Sequence, residues 1–469
     1  MSENGDDNRL LTSRHVSFIS FGGIVGTGLF IGIKNTLITG PIFSLLSYGY
    51  ISLICYYIIQ AVGEMSCFMP VTGSLCQFQF KFISDQIGFM NNFIYWLSWS
   101  ITLALELSLI CSVLEYWWDL NTTSTILIIW ICLVIFNLLP VNYYGEIEFI
   151  VTSLKVLFMV CWIFIAIWLV PKNGFKYWNK ELILGNANPM TSLVSSCFTF
   201  QSIESVALCS GEIQDIHKNL PRAIKYIVTR ILIFYMLTLF LLTLMIPCTD
   251  PRLNNDDVMS SPFLIGLMNL GVDNFLGVFN FIILVSMISA ANSNIYFGSR
   301  CLLSIAEEGY VTKSISRRIN GIPYLSVLLT SSIGLISLFS KYKSINIFFK
   351  LLINLSATSG LLMWLFISIS YIRFRKALQY NLLDYKHLSY TSNVNMIWFS
   401  YFSIISIILI IFINGWSSND IDSFLSCYLT SIVVILGSFL LSIKWKQPIL
   451  KPIQSIDIYT NQSANAFNI

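Results

Sequence analysis

The chain has 469 residues, of which 55% are apolar, 15% aromatic and only 11% charged, and its mean hydropathy is +0.72. Soluble domains carry about 25% charged residues, so this composition is that of an integral membrane protein. A net charge of +3, with no basic block able to track a phosphate backbone, excludes a nucleic-acid binder.

The polar opening, Met1 to Arg14, carries Glu3, Asp6 and Asp7. It therefore lacks the basic n-region of a signal peptide, and no cleavage is expected. Runs of about 20 apolar residues can cross a bilayer. Twelve such spans are predicted, near 15–37, 41–63, 91–114, 124–140, 147–170, 190–210, 226–247, 263–293, 322–340, 346–371, 396–415 and 423–443. Short tails, 1–14 and 444–469, are expected to flank one membrane domain without an attached soluble module.

The first span is unlike an ordinary helix. Between Phe21 and Gly32 it holds five glycines, each costing a helix roughly 1 kcal/mol relative to alanine. At Gly26-Thr27-Gly28 the backbone is free to unwind and approach a ligand, which a bilayer tolerates only inside protein or along a cavity. Helix packing through small residues is the competing reading.

The third span carries Ser98 and, further on, Glu106. A carboxylate in a span marks a functional site by default, and Glu106 is the natural counter-charge for a guanidinium or ammonium. A buried structural acid is the alternative. Asn121-Thr122-Thr123 forms a glycosylation sequon, but beside Trp117 and Trp118 it says little about sidedness. Lys155 lies in the fifth span. Burial disfavours a lysine's charged form, which suits a site that gains and loses protons; a lysine snorkelling from a helix end is the alternative. Glu64, Glu146, Glu148 and Glu212 fall near span ends, where solvated or capping roles are expected.

The sixth span carries Phe200-Gln201-Ser202-Ile203-Glu204, a second polar interruption. Spans one and six correspond if the chain is two five-helix repeats, about 15–170 and 190–371, followed by two further helices at 396–443. Paired interruptions in two halves are the best sequence pointer to a transporter site at the midplane. Free N–H groups at Gly26 to Gly28 suit a carboxylate, and unwound carbonyls around Phe200 to Ile203 suit an ammonium; together they suit an α-amino acid. Glu204 is a candidate gate or proton acceptor. In the tenth span Ser356 and Thr358 are candidate pocket wall, and Phe281 in the eighth is a candidate aromatic contact.

Nineteen of the 27 Lys and Arg residues fall on the side of the termini and eight on the other, which places both termini in the cytoplasm. The eleven cysteines form no Cys-x-x-Cys pair, and the three histidines stand far apart. No metal site is expected. No Walker motif or catalytic Ser/His/Asp order is present, so neither an enzyme nor a cofactor is expected.

Many short motifs resemble, in order, those of the fungal amino-acid permeases of the amino acid, polyamine and organocation superfamily. They are Arg14-His15, Gly26-Thr27-Gly28-Leu29-Phe30, Gly63-Glu64-Met65, Pro70-Val71-Thr72-Gly73-Ser74, Tyr144-Gly145-Glu146-Ile147-Glu148-Phe149, Ser210-Gly211-Glu212, Asn219-Leu220-Pro221-Arg222 and Ile372-Arg373-Phe374-Arg375. Ala104-Leu105-Glu106-Leu107-Ser108, Phe198-Thr199-Phe200-Gln201 and Ser289-Ala290-Ala291-Asn292-Ser293-Asn294 are most similar to the basic amino-acid (arginine, lysine) permeases. The resemblance implies an all-α, LeuT-like fold of twelve helices, with a 5+5 inverted repeat, two extra helices and breaks in helices 1 and 6. It also implies import of cationic amino acids at the plasma membrane by proton symport, the proton gradient being the driving force. By the same resemblance Gly26, Thr27 and Gly28 bind the substrate carboxylate, Phe200, Ser202, Ile203 and Glu204 hold the amino group and gate the site, and Lys155 takes the place of a coupling sodium ion. Ser202 departs from the family, which usually has glycine there. A neutral or broad-specificity permease is the first alternative, and a non-transporting amino-acid sensor on the same scaffold the second. Oligomeric state is open.

Overall fold

The structure is a computed structural model that describes residues 9–24, 26, 28–170, 175–178, 185, 187–254, 261–271, 276–339, 346–416 and 421–467. Twelve helices carry the architecture: α1 (Ser13–Ile24), α2 (Pro41–Phe68), α3 (Asp85–Leu114), α4 (Thr122–Asn137), α5 (Val141–Leu169), α6 (Pro189–Phe200), α7 (Ile216–Met245), α8 (Leu276–Glu307), α9 (Tyr324–Gly334), α10 (Asn346–Tyr380), α11 (Met396–Trp416) and α12 (Ile421–Trp445). Among the described residues eight helices are long and apolar enough to cross a membrane, and α1 with its bent continuation makes a ninth. α4 and the stretch beginning at α9 are shorter apolar helices.

Local chemistry sets several starts. The side chains of Ser84, Asn121 and Asn188 accept hydrogen bonds from Ile87, Thr123 and Met190 backbone N–H groups at the heads of α3, α4 and α6, the usual N-cap device. Pro41 and Pro189 occupy first-turn positions, where a missing N–H costs nothing.

The eighth span corrects the sequence reading. The apolar run 263–293 is not one helix: a short helix, Pro262–Asn269, ends before Gly271, whose φ of +77° is left-handed, and α8 starts afresh at Leu276. α8 then runs to Glu307 because Asn294, Ser299 and Arg300 are buried against neighbouring helices. A hydropathy average counts such residues as exposed, and so ended the span too early. α3 and α8 form the most extensive helix pair, and α10 packs on the other flank of α3. α11 and α12 lie outside, presenting Trp398, Phe412, Leu436 and Leu440 outward, as lipid-facing helices do.

Two spans are interrupted. Ser13–Gly23 and Gly28–Leu37 meet at 48°, with a π-helical turn over Gly28–Gly32. α6 stops at Phe200, Gln201 is extended, Ser202 is left-handed, and the chain continues in short 3₁₀ turns at Ile203–Ala207 and Ser210–Glu212. Beyond them Leu11 pairs with this segment, its N–H donating to Glu212 O at 2.9 Å and its carbonyl accepting from Gln214 N–H at 2.9 Å.

Both ends of the described chain lie on one face, here the terminal face. The C-terminal tail crosses it as a clasp. Lys451 donates to Ile83 O through its backbone at 2.9 Å and to Asp85 through its ammonium at 2.6 Å. Ser463 N–H donates to Phe68 O at 2.9 Å, Ser389 N–H to Ala466 O at 2.8 Å, and the His217 ring bridges Ser389 and Ser463 hydroxyls at 2.7 Å each. Truncation after Lys446 removes all of these links except that between His217 and Ser389. At about 1 kcal/mol per hydrogen bond, it is expected to lower the thermal midpoint of the detergent-purified protein by several degrees; an unchanged midpoint would show that the clasp adds no stability.

Candidate functional site

The first interruption borders a small cavity of about 50 Å³. Gly23, Gly26 and Gly28 supply one wall, and Ser98, Trp99, Thr102 and Glu106 of α3 the next. Phe198, Thr199, Gln201 and Ser202 come from the end of α6, and Ala290 and Asn294 from α8. Thr27 lies outside the described residues.

Glycine is required at 26 by proximity. A Cβ there would stand 3.0 Å from Ala290 Cβ and 3.7 Å from Glu106 Oε1, so the unwound backbone lies directly against a buried carboxylate. Thr199 Oγ1 donates to Gly28 O at 3.3 Å, joining the two interrupted spans. The Gly26 carbonyl accepts from Leu29 and Phe30 N–H groups at 3.2 and 3.3 Å, which restarts the helix beyond the break.

The tenth-span candidates separate. Ser356 stands behind the cavity wall: its hydroxyl meets those of Ser98 and Thr102 at 2.9 Å each, and its carbonyl accepts from Gln201 Nε2 at 3.1 Å. Gln201 reaches it across Gly360, where a Cβ would collide with Nε2 at 2.4 Å. Thr358 faces the outer helices, donating to Cys427 O at 3.3 Å and accepting from Asn414 at 3.4 Å.

The sixth-span candidates also separate. Ser202 lines the cavity. Phe200 is buried in an aromatic group, its ring centroid 5.3 Å from that of Tyr48 and 4.8 Å from that of Tyr235, and Ile203 is buried beside it in the chain. Glu204 is fully buried and outside the cavity lining. One of its oxygens accepts from Tyr95 OH at 2.6 Å and the other from Trp364 Nε1 at 2.8 Å. Its carboxylate thus ties α3 and α10 to the interrupted sixth span.

Lys155 is fully buried and donates to Gly22 O at 2.9 Å, the last turn of α1 before the break. Glu148 and Glu106 are its electrostatic neighbours. The glutamates expected at solvated span ends divide. Glu146 is half-exposed and pairs with Arg14 and His15. Glu64, Glu148 and Glu212 are instead buried: Glu64 accepts from Tyr371 OH and Ser392 N–H, Glu212 pairs with Arg300 at 3.1 Å, and Glu148 accepts from Ser289 at 2.8 Å and Asn292 at 2.7 Å. Phe281 is about half exposed on the outside of α8 and contributes no pocket wall.

Thr102, Trp99 and Asn294 line the cavity without having been singled out in the sequence. Thr102 had a legible signal, since Ser98, Thr102 and Glu106 recur every four residues and share one helix face.

Ser202 has φ +80° and ψ 0°, a left-handed conformation that costs a residue with a Cβ roughly 1–2 kcal/mol. The position is built for glycine, and serine holds it under strain at the cavity wall. Ser202→Gly is expected to raise the thermal midpoint, by an amount of about 1 kcal/mol. Differential scanning measurements on the purified protein check this, and a lowered midpoint would contradict it.

An amino acid permease family model matches residues 15–454. The chain is 35% identical over 478 residues to the lysine-specific permease of Saccharomyces cerevisiae, covering 96% of this chain and 78% of that one. It is 36% identical over 486 residues to the basic amino-acid permease of the same yeast, covering 97% and 84%, and 36% identical over 459 residues to the lysine/arginine permease of Candida albicans, covering 92% and 80%. In fold it is similar to the crystal structure of MhsT in complex with L-phenylalanine, with a TM-score of 0.58 at 12% identity over 85% of this chain and 98% of that one. A cavity at an interrupted first helix, on an all-helical multi-pass scaffold matched from end to end, thus belongs to a chain of the amino acid permease family.

Proposed function

We propose that the protein imports a cationic L-amino acid, arginine or lysine, across the plasma membrane together with a proton, by alternating access. One observation carries this reading: a buried carboxylate, Glu106, lies against the unwound backbone at Gly26 on the wall of a small cavity. The names of the yeast and Candida relatives support a basic substrate. The excess of Lys and Arg on the terminal face supports a cytoplasmic location for that face.

In this reading the N–H groups at Gly26 to Gly28, with Thr27, take the carboxylate, and the α6 break from Phe200 to Ile203 takes the amino group. Glu106 reads the side chain, with Ser98 and with Ser356 of α10 behind it; Thr358, turned to the outer helices, takes no part. Lys155 couples the proton, and Glu204 gates the site from the terminal face. A cavity of about 50 Å³ holds a few waters and not an arginine, so the form described is a contracted one that must open to load. Lipid surrounds the bundle, and the proton gradient is the only energy source required.

A second reading has a specific observation in its favour. The 3.7 Å approach of Glu106 to the Gly26 position puts the carboxylate at the backbone end of a substrate, where it would meet the α-ammonium common to all amino acids. The protein would then be a neutral or broad-specificity permease. Uptake of labelled lysine in permease-deficient cells, competed by arginine, leucine, glutamine and proline at two pH values, separates the two. Glu106→Gln should lower the uptake efficiency of lysine and arginine by roughly 30-fold or more, the equivalent of 2–5 kcal/mol for one partner of a buried charge pair, and leave leucine competition intact or stronger. Equal loss for all substrates favours the second reading, and unchanged lysine uptake removes Glu106 from substrate recognition. No uptake at all, with substrate binding retained, would indicate a sensor.

A further inference from the structure

α5 carries a polar face that the substrate cavity does not use. Glu148, Thr152 and Lys155 stand at i, i+4 and i+7, which places them on one side of the helix, and all three turn toward the interrupted first span. The contact is tight at Gly22. A Cβ there would meet Thr152 Oγ1 at 2.5 Å and Glu148 Oε2 at 3.0 Å, while the Gly22 carbonyl accepts from Lys155 Nζ at 2.9 Å. Each of the three side chains is at most 1% exposed. The hydroxyl between the two charged groups, Thr152 Oγ1, has no hydrogen-bond partner among the described residues.

The surroundings of Glu148 are specific. α8 brings Ser289 and Asn292, both hydrogen-bonded to its carboxylate, and Asn137 of α4 holds Asn292 from behind at 2.7 Å. α1 brings the Gly22 backbone, with His15 about two turns earlier, 3.1 Å from the position a Gly145 Cβ would take. On α5 itself Tyr144 feels its charge and stacks on Tyr296 of α8, which carries Arg300 over its face. Among the described residues α7 brings it no charged or hydrogen-bonding group. Lys155 is the cation that acts on it directly.

We infer that Glu148 is the inner half of the proton-coupling site, taking the proton from Lys155 and handing it to the cytoplasm. This rests on the proton-symport reading above. Seven residues along a helix is about 10 Å of backbone rise, and the Thr152 hydroxyl stands between the two charged groups. Lys155 as an ammonium gives one proton through Thr152 to the Glu148 carboxylate. A neutral amine and a neutral acid result, the acid releases the proton on the terminal face, and Lys155 is reprotonated from the cavity side by way of Glu106. Because the relay presses on Gly22, each transfer changes the charge against the half-helix that must move when the site opens.

The test uses the full-length protein in sealed vesicles containing a pH-sensitive dye, with radiolabelled lysine as probe. Two rates are compared: net uptake driven by an imposed gradient of one pH unit, and exchange of labelled for unlabelled lysine at equal pH, which needs no net proton movement. One coupled proton supplies about tenfold accumulation per pH unit. Glu148→Gln, which keeps an acceptor for Asn292 and can donate its NH2 to the Ser289 hydroxyl, should cut the ratio of net uptake to exchange by roughly that factor and abolish lysine-dependent acidification, and Glu148→Asp should restore part of both. A merely structural carboxylate would depress both rates together and leave their ratio unchanged, which overturns the inference. If the unsubstituted protein takes up lysine without moving protons, the symport reading fails and this inference with it. Should Glu148→Gln not reach the membrane, Thr152→Val makes the same cut in the relay, and an unchanged ratio there is equally decisive against it.

Discussion

The structure depends on one constraint: a helix interrupted inside a bilayer exposes backbone polar groups that nothing in lipid can satisfy. The first span meets this by drawing charged and polar side chains to its break. Lys155 takes the Gly22 carbonyl, Thr199 takes that of Gly28, and Glu106 lies over Gly26. These groups in turn need partners, which brings Glu148, Ser289 and Asn292 into the interior. A single run of glycines thus organises polar residues on α3, α5, α6 and α8. Apolar packing alone could not assemble the same helices, because lipid offers apolar side chains no less than a neighbouring helix does.

Glycine serves that packing in a complementary way. At Gly26 and Gly360 the missing side chain lets a carboxylate and an amide, from Glu106 and Gln201, reach across to a neighbouring helix. Close approach and polar contact therefore occur at the same places. The cavity lies among them because a gap lined by hydrogen-bonding groups is the one kind of void a polar ligand can fill.

Much of this was legible in the sequence. Composition and hydropathy located eleven of the twelve helices, because a lipid-exposed helix must be apolar along its length. The two interruptions were legible because glycine clusters and mid-span Gln201 and Glu204 have no place in an ordinary span. The eighth span was misjudged where buried Asn294 and Arg300 read as polar and therefore as exposed. Ser356 and Thr358 could not be told apart, since two residues of one helix lie on nearly opposite faces and the sequence does not say which face looks inward. Glu64, Glu148 and Glu212 were given solvated or capping roles because they sit near span ends. On the terminal face the span ends are covered by tail, loops and the Leu11 pairing, so an end in sequence is an interior in space. Ser202 was visible as a departure from the family, but only its backbone angle shows why glycine suits the position.

The distribution of polar cross-links along the bundle is uneven. Between the cavity and the terminal face lie the Tyr95–Glu204–Trp364 bridge, the Glu212–Arg300 pair and the Glu64 group, each built on a buried carboxyl group. Beside the cavity itself the Ser98, Thr102, Ser356 and Gln201 contacts are neutral, and neutral hydrogen bonds are roughly half as strong as charge-assisted ones. Any path to the terminal face must separate several of the stronger links at once. A movement that parts the helices there carries the larger enthalpy of activation, so cooling slows it more than it slows a movement confined to the cavity.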